Sequence, residues 1–329
     1  MNFDFEDLQN IIVEEFRDEH AESLAAMWKV SDADWPGSFS AGMEISPEKL
    51  LEEMKKIKTA CRFVLYHKLK KQVVGIMEFL EIPGNREAVY AGLNIHPDYR
   101  GAAILLVANI WTRSIDKLVE LQYRYVEMET WPTNGKVITI SKQAGFYWVP
   151  DTAVRMENYF PLLMQTPLVI KFFTKHDIIE CQYEVALQKI PELKEDKIIW
   201  NNIEIFPYEW KKGKEYVKAI IDVKGRGITG IENQDFSISC YPSDGNTGFA
   251  GMKKEIVWEI VNKRETPLRV SLYISCDKGL ELDKPYPYKA IPEMEMFEKM
   301  KWGYEIRKPY TYEVKDKVVI KEKVKILQD

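Results

Sequence analysis

The sequence predicts an α/β (α+β) N-terminal domain, a mixed sheet with flanking helices, followed by a C-terminal antiparallel β-sandwich domain. Three observations lead there. The stretch AVYAGLNIHPDYRGAAILLVANIWTRSIDKLVEL, Ala88 to Leu121, reads as an apolar strand cut by His96-Pro97, a short loop carrying Arg100-Gly101, and then a long helix. Around it, strand-like and helix-like runs alternate up to about Met156. From Ile198 onward, short β-branched and aromatic runs recur between turns, and no helical stripe interrupts them.

Taken in order, Ile11 to Phe16 reads as the first strand. Asp18 can cap a helix from Glu19 to about Lys29, with Leu24 and Trp28 on its buried face. Ser31 to Ile45 has loop composition. Ser46-Pro47-Glu48 then opens a helix with proline in its first turn, striped by Leu50, Met54 and Ile57. Arg62 to His67 and Val73 to Glu81 form a strand pair across the turn Lys68 to Lys71, and Pro83-Gly84-Asn85 turns into the Ala88 strand. In the long helix Ile104, Ala108, Trp111, Ile115 and Leu118 recur at helical spacing. Tyr123 to Thr130 is the next strand, Asn134-Gly135 opens a short helix that Gly145 closes, and Phe146 to Met156 completes the unit.

The expected division is a domain over residues 1–160, a linker over 161–190 and the β-sandwich over 191–329. Its strand runs are Ile198 to Phe206, Tyr216 to Val223, Phe236 to Tyr241, Glu255 to Val261 and Leu268 to Ser275. Lysines 315, 317, 321, 323 and 325 in the last stretch read as protection of an exposed edge strand.

Composition narrows the function classes. With 46% hydrophobic and 29% charged residues, the 329-residue chain has the makings of folded domains rather than disorder. A net charge of −5 without a basic, aromatic-interleaved cluster argues against a nucleic-acid partner. No apolar run is long enough to span a bilayer, and MNFDFEDLQN is not a secretory leader, so a cytoplasmic location without membrane attachment is expected. Cys61, Cys181, Cys240 and Cys276 lie far apart and read as reduced thiols, a Cys240–Cys276 bridge being the one alternative. Neither they nor the four dispersed histidines have metal-ligand spacing, so no metal site is expected. Gly225-Arg-Gly227-Ile-Thr-Gly230 matches the dinucleotide pattern, but no helix pattern follows it, and it reads as a β-domain turn.

A strand, a small-residue turn and a helix N-terminus together make an anion site, because free amides and the helix dipole face the turn. The run Asn94-Ile-His-Pro-Asp-Tyr-Arg-Gly101 resembles the acetyl-CoA signature of the GNAT N-acetyltransferase superfamily. Asn134 to Phe146 (NGKVITISKQAGF) resembles that family's second motif, an Asn, an apolar helix face and a closing Gly-Phe. The likeness covers the N-terminal half. It implies direct acetyl transfer from acetyl-CoA to a small-molecule or peptide amine. It also implies that Leu93 and Ile95 backbone groups bind pantetheine, and that the amides of Arg100, Gly101, Ala102, Ala103, Ile104 and Leu105 bind pyrophosphate.

Ala103 and Leu105 replace small family residues, and Ser141 stands where the family often has a tyrosine acting as acid; Tyr147, just past that helix, reads either as a substitute acid or, more readily, as a packing aromatic. Glu78 and Glu127, with Glu81 and Glu129 behind them, are candidates to take the amine proton. The resemblance maps the acceptor pocket onto Asp32, Asp34, Trp35 and Phe39, with Met43, where carboxylates beside aromatics suit an amine. The β-domain would position a peptide or glycan or form a homo-oligomer interface. The rival reading is an acyl-CoA-binding or scaffold protein that has lost its chemistry. A third makes the β-sandwich a glycan- or protein-binding module using Tyr286, Tyr288 or Trp302.

Overall fold

A computed structural model of the chain describes residues 5–34, 45–178, 181, 197–272, 279–282 and 310–327. The chain divides into two units, Met1–Asp196 and Lys197–Asp329. The first begins with α1 (Phe5–Leu8), β1 (Ile11–Glu15), α2 (Ala21–Ser31), α3 (Pro47–Lys56), β2 (Thr59–His67), β3 (Gln72–Ile82) and β4 (Asn85–Ile95). Then come α4 (Ala103–Glu120), β5 (Tyr125–Glu129), α5 (Gly135–Gln143), β6 (Tyr147–Trp148), β7 (Arg155–Asn158), α6 (Phe160–Leu163) and α7 (Pro167–Phe173). The seven strands form one sheet in the order β1-β2-β3-β4-β5-β7-β6. Every pair is antiparallel except β4 and β5, which α4 joins by crossing over the sheet.

Local chemistry accounts for the helix boundaries. The Ser46 hydroxyl accepts the Lys49 amide at 3.3 Å and Pro47 follows, so α3 starts where the sequence places it. Leu50 and Met54 are buried with Leu24, Met27, Val64 and Ile76 on one face of the sheet, whereas Ile57 lies past the helix end and is exposed. The Asn134 side chain accepts the Val137 amide at 3.4 Å and caps α5. Gly145 ends it at φ +94, a left-handed conformation that strains a residue bearing Cβ.

The apolar stripe of α4 is rotated from the expected one. Leu106, Val107, Ile110, Trp111, Ser114, Ile115 and Leu118 face the core, while Ile104 is exposed and Ala108 half-buried. The helix carries apolar residues on two sides, so spacing alone did not show which side meets the sheet. The stretch expected as a linker opens with α6 and α7, whose Phe160, Leu163, Val169 and Phe172 are buried. Phe146 to Met156 is two short strands, β6 and β7, rather than one.

The second unit contains β8 (Ile198–Trp200), β9 (Ile203–Lys212), β10 (Glu215–Asp222), β11 (Gly227–Asn233), β12 (Phe236–Pro242), β13 (Lys253–Asn262), β14 (Leu268–Leu272), β15 (Leu280–Leu282), β16 (Tyr310–Val314) and β17 (Lys317–Ile326). Eight of these make an antiparallel sheet, β15-β17-β13-β12-β11-β10-β9-β8, and β14 pairs with β16. The antiparallel β architecture is as expected; among the described residues it is one broad sheet and a two-stranded ribbon. Val217, Ala219 and Ile221 lie opposite Trp210, Tyr208 and Phe206 on one face, and Lys218 opposite Glu209 on the other.

The glycine-rich run, read as a turn, is a turn only at its start, and Gly227 to Gly230 belong to strand β11. Asp222 Oδ1 accepts the Lys224 and Gly225 amides at 3.0 and 2.8 Å, and β11 follows without a helix. Two of the terminal lysines also find partners on the neighbouring strand. Lys317 and Lys321 reach Glu259 and Glu255 of β13 at 3.1 and 2.8 Å, so strand-to-strand charge pairing places them on the polar face. Cys61 and Cys240 are free thiols, and burial pushes both up to about 12; Cys181 is buried, and Cys276 lies outside the described residues. No helix among the described residues is long and apolar enough to cross a membrane.

A Cβ at Gly145 would sit 3.1 Å from the Phe160 ring and 3.2 Å from Asn158 Nδ2, in addition to the positive φ. Gly145→Ala is therefore expected to destabilise the first unit by about 1–3 kcal/mol, read as a lower midpoint in urea unfolding.

Candidate functional site

The sheet forks between its two parallel strands. Ala88, Val89 and Tyr90 pair with Tyr125, Val126 and Glu127, and the pairing ends there. Beyond Tyr90 the strand continues to Ile95, held on its other side by β3 through the Gly75–Ile95 rung. Leu93 and Ile95 thus lie on a strand edge that faces no β5 partner. The Ile95 carbonyl accepts from Arg100 Nε at 3.0 Å.

A 3-10 turn, Pro97–Ala102, follows at the carboxyl end of β4 and runs into α4. His96 caps it, its Nδ1 accepting the Asp98 amide at 3.2 Å, and burial holds the His96 imidazolium pKa below its usual range while Asp98 opposes the shift. Ala102, at the N-cap of α4, supplies no side-chain cap. The Ala103 backbone is helical at φ −52, so its methyl group fits without strain. Leu105 is 47% exposed and stays out of the core. This turn is fastened from below. The Tyr99 hydroxyl accepts from Lys70 Nζ at 2.9 Å and donates to Asp7 Oδ2 at 3.4 Å. Asp7 Oδ1 in turn takes His67 Nε2 at 2.8 Å. Hydrogen bonds from Lys70 and then His67 hold the Asp7 carboxyl below its usual range.

Register places the candidate carboxylates on one face. Glu78 lies opposite Gly92, Tyr90 beside Glu127, and Glu127 opposite Glu157. Arg62 holds Glu78 Oε2 from Nε at 3.0 Å and Nη2 at 2.9 Å. Glu78 Oε1 lies over Gly92, 3.3 Å from where a Cβ would be, beside the unpaired length of β4. Arg155 Nη2 donates to both Glu127 Oε1 and Glu157 Oε1, at 2.7 and 2.6 Å. The Glu157 side chain is 3% exposed, and the Tyr147 and Tyr159 hydroxyls donate to its Oε2 at 3.1 and 3.0 Å. Tyr147 is thus sealed against Glu157, and Ser141 is buried on α5. Glu81 and Glu129 are exposed strand residues.

Asp32 and Asp34 occupy a short 3-10 turn, Asp32–Asp34, after α2. Asp34 Oδ2 accepts from Arg100 Nη1 at 2.6 Å, so a residue assigned to the acceptor meets one assigned to the cofactor. Both are well exposed, at 48% and 39%, so this contact is worth no more than about 1 kcal/mol and serves as a tether. Trp35, Phe39, Met43, Tyr286, Tyr288 and Trp302 lie outside the described residues. Among the described residues no group of three His, Cys, Asp or Glu could hold a metal ion.

Four residues at the fork escape sequence reading: Arg62, Tyr90, Arg155 and Glu157. Burial first, and then the Glu129 carboxylate, push the half-buried Tyr90 hydroxyl above its usual range. Their one signal in the sequence is alternation, which puts Tyr90, Glu127 and Glu157 each in phase on its strand without revealing the rungs that join them.

No family model matches the sequence, and no curated protein matches it. Solved structures do resemble its N-terminal half. A spermidine N-acetyltransferase chimera from Vibrio cholerae is 16% identical, with 46% of this chain and 96% of that one covered and a TM-score of 0.36. A ribosomal-protein-S5-alanine acetyltransferase from Vibrio fischeri is 17% identical, with 48% and 95% covered and a TM-score of 0.37. A GNAT superfamily phosphinothricin acetyltransferase from Sinorhizobium meliloti, in complex with AcCoA, is 11% identical, with 45% and 88% covered and a TM-score of 0.38.

The low His96 pKa has a definite sign. Neutral His96 is favoured in the folded chain, so its contribution is present above the unfolded value of about 6.5 and is lost as pH falls through the folded pKa. A proton NMR titration should give His96 a midpoint below that of a denatured control. His96→Asn should flatten the acid side of the stability curve in that window.

Proposed function

We propose that the N-terminal unit is an N-acetyltransferase that moves the acetyl group of acetyl-CoA directly to an amine. The observation that carries this reading is the fork between β4 and β5, with a helix N-terminus lacking a side-chain cap at its mouth. Pantetheine is long and thin and carries amides, so an unpaired strand edge at Leu93 and Ile95 suits it. The pyrophosphate needs amide donors and a positive dipole, which the turn from Arg100 to Leu105 is built to supply. Asn134, capping α5, stands on the other side of the fork.

In this mechanism the amine nitrogen attacks the thioester carbonyl carbon, and the tetrahedral adduct collapses with departure of the CoA thiolate. The proton shed by the amine passes to a carboxylate. Glu78 fits that role better than Glu127, because its Oε1 overlies the unpaired part of β4 while Arg62 fixes its Oε2. The acidic residues Asp32 and Asp34 complement a cationic acceptor. The thiolate leaves without an acid, since Tyr147 is committed to Glu157 and Ser141 is buried. That same commitment favours the second reading, an acyl-CoA binder without turnover.

Isothermal titration with acetyl-CoA, using desulfo-CoA as control, tests the site. Affinity in the micromolar range is expected, and Ala103→Glu should abolish it by placing a carboxylate where the pyrophosphate lies. With an accepted amine, Glu78→Gln should lower kcat about 100-fold and leave acetyl-CoA affinity unchanged. Absence of heat at millimolar acetyl-CoA would sink both readings; binding without turnover over a broad amine screen would leave the second.

A further inference from the structure

When an amine attacks a thioester, the carbonyl π pair moves onto oxygen, and the charge that forms there is best met by a donor already in place. Glu78 is an acceptor, and the Arg62 guanidinium beside it is spent on holding it. A donor for the carbonyl oxygen has to come from elsewhere at the fork.

Asn94 stands where such a donor is wanted. The His96 amide bonds the Val74 carbonyl at 2.9 Å, and in the same register Asn94 pairs with Ile76 and Gly92 with Glu78. Backbone groups of successive strand residues point to opposite edges. The even-numbered residues of this length therefore spend theirs on β3, and those of Leu93 and Ile95 turn to the fork. What Asn94 can offer the fork is its side chain. That side chain leaves the sheet on the same face as Gly92 and the Glu78 carboxylate, two positions or about 7 Å farther along β4.

Its surroundings give it nothing to bond. Across the rung, Ile76 belongs to the apolar core with Leu24, Met27, Leu50 and Met54, and on the other side β5 has already parted from β4. Asn94 is 8% exposed, and its buried Nδ2 has no hydrogen-bond partner among the described residues. A buried donor left unpaired is destabilising, and a leucine of similar size at that position would avoid the cost. The other unpaired donor on this face, Arg155 Nε, belongs to a guanidinium committed to Glu127 and Glu157, and its strand is two away from β4.

We propose that Asn94 is a catalytic residue of the acyl transfer, its Nδ2 donating a hydrogen bond to the thioester carbonyl oxygen of acetyl-CoA and to the oxyanion that forms there. This role rests on acetyl transfer taking place at the fork. Pantetheine running from the turn along the free edge of Ile95 and Leu93 brings the thioester level with Gly92 and Asn94, beside Glu78 Oε1. The amine nitrogen bonds to the carbonyl carbon, the C=O pair moves onto the oxygen facing Asn94, and Glu78 takes the amine proton. The pair then returns, the C–S bond breaks, and CoA departs as the thiolate. Asn94 keeps its protons throughout.

Acetyl-CoA labelled with 13C at the thioester carbonyl, bound to the full chain, reads this hydrogen bond without any amine present. The bound carbonyl resonance is expected downfield of the free one, and back at the free position in Asn94→Leu. That variant should bind acetyl-CoA within about threefold of the parent and melt no lower, since it removes an unpaired donor. With an accepted amine its kcat should fall about 100-fold. A purely structural Asn94 would instead lower the melting temperature and leave the resonance where it was. Asn94→Asp, which keeps the shape and loses the donor, carries the same test if the leucine variant does not fold. Binding without a downfield shift, or a shift and kcat that survive both substitutions, overturns the role of Asn94 and leaves the fork reading standing. Absence of acetyl-CoA binding to the parent overturns both.

Discussion

Everything in the N-terminal unit follows from the need to join two parallel neighbours. Antiparallel strands are joined by tight turns, as at Gly84, but β4 and β5 run the same way and require a return across the sheet. The eighteen-residue α4 makes that return. Its start is therefore fixed at the carboxyl end of β4, and its end must release the chain at the amino end of β5. The two strands share three rungs and then part. A helix N-terminus and an open strand edge at one place are consequences of that connection, and no separate device has to create them.

The charged residues around the fork obey a second constraint. A carboxylate on a half-covered sheet face must find cations or donors, and each of these does: Glu78 in Arg62, Glu127 in Arg155, Glu157 in Arg155 and two tyrosines. Losing Arg155 from its half-buried pair with Glu157 leaves a 3% exposed carboxylate without its cation, which is destabilising. The exposed Asp34–Arg100 contact is different in kind. It adds little stability and fixes where the end of α2 meets the turn after β4.

Much of the fold was legible from spacing. Ser46-Pro47, Asn134 and Gly145 mark helix ends through local hydrogen bonds and backbone conformation, which a sequence carries directly. The β character of residues after Ile198 was legible for the same reason. What stayed hidden depends on partners far along the chain. The apolar residues of α4 suit two sides of a helix, and only the sheet and the neighbouring helices decide which side is core. Strand β11 was read as a turn because its glycines dominate the pattern, although its rungs with β10 and β12 make it a strand. The terminal lysines read as edge-strand protection, and the sequence alone does not reveal Glu259 and Glu255 beside Lys317 and Lys321. At the fork, Arg155 and Glu157 join Glu127 across rungs that no periodicity announces.

The fastening of Tyr99 by Asp7 has a practical side. These residues stand ninety-two positions apart, yet Asp7 makes part of the floor under the anion turn. Asp7, His67 and Lys70 are all made before Tyr99, so this floor cannot form until β4 has been completed. A change at Asp7 acts on the mouth of the fork as surely as a change in the turn itself.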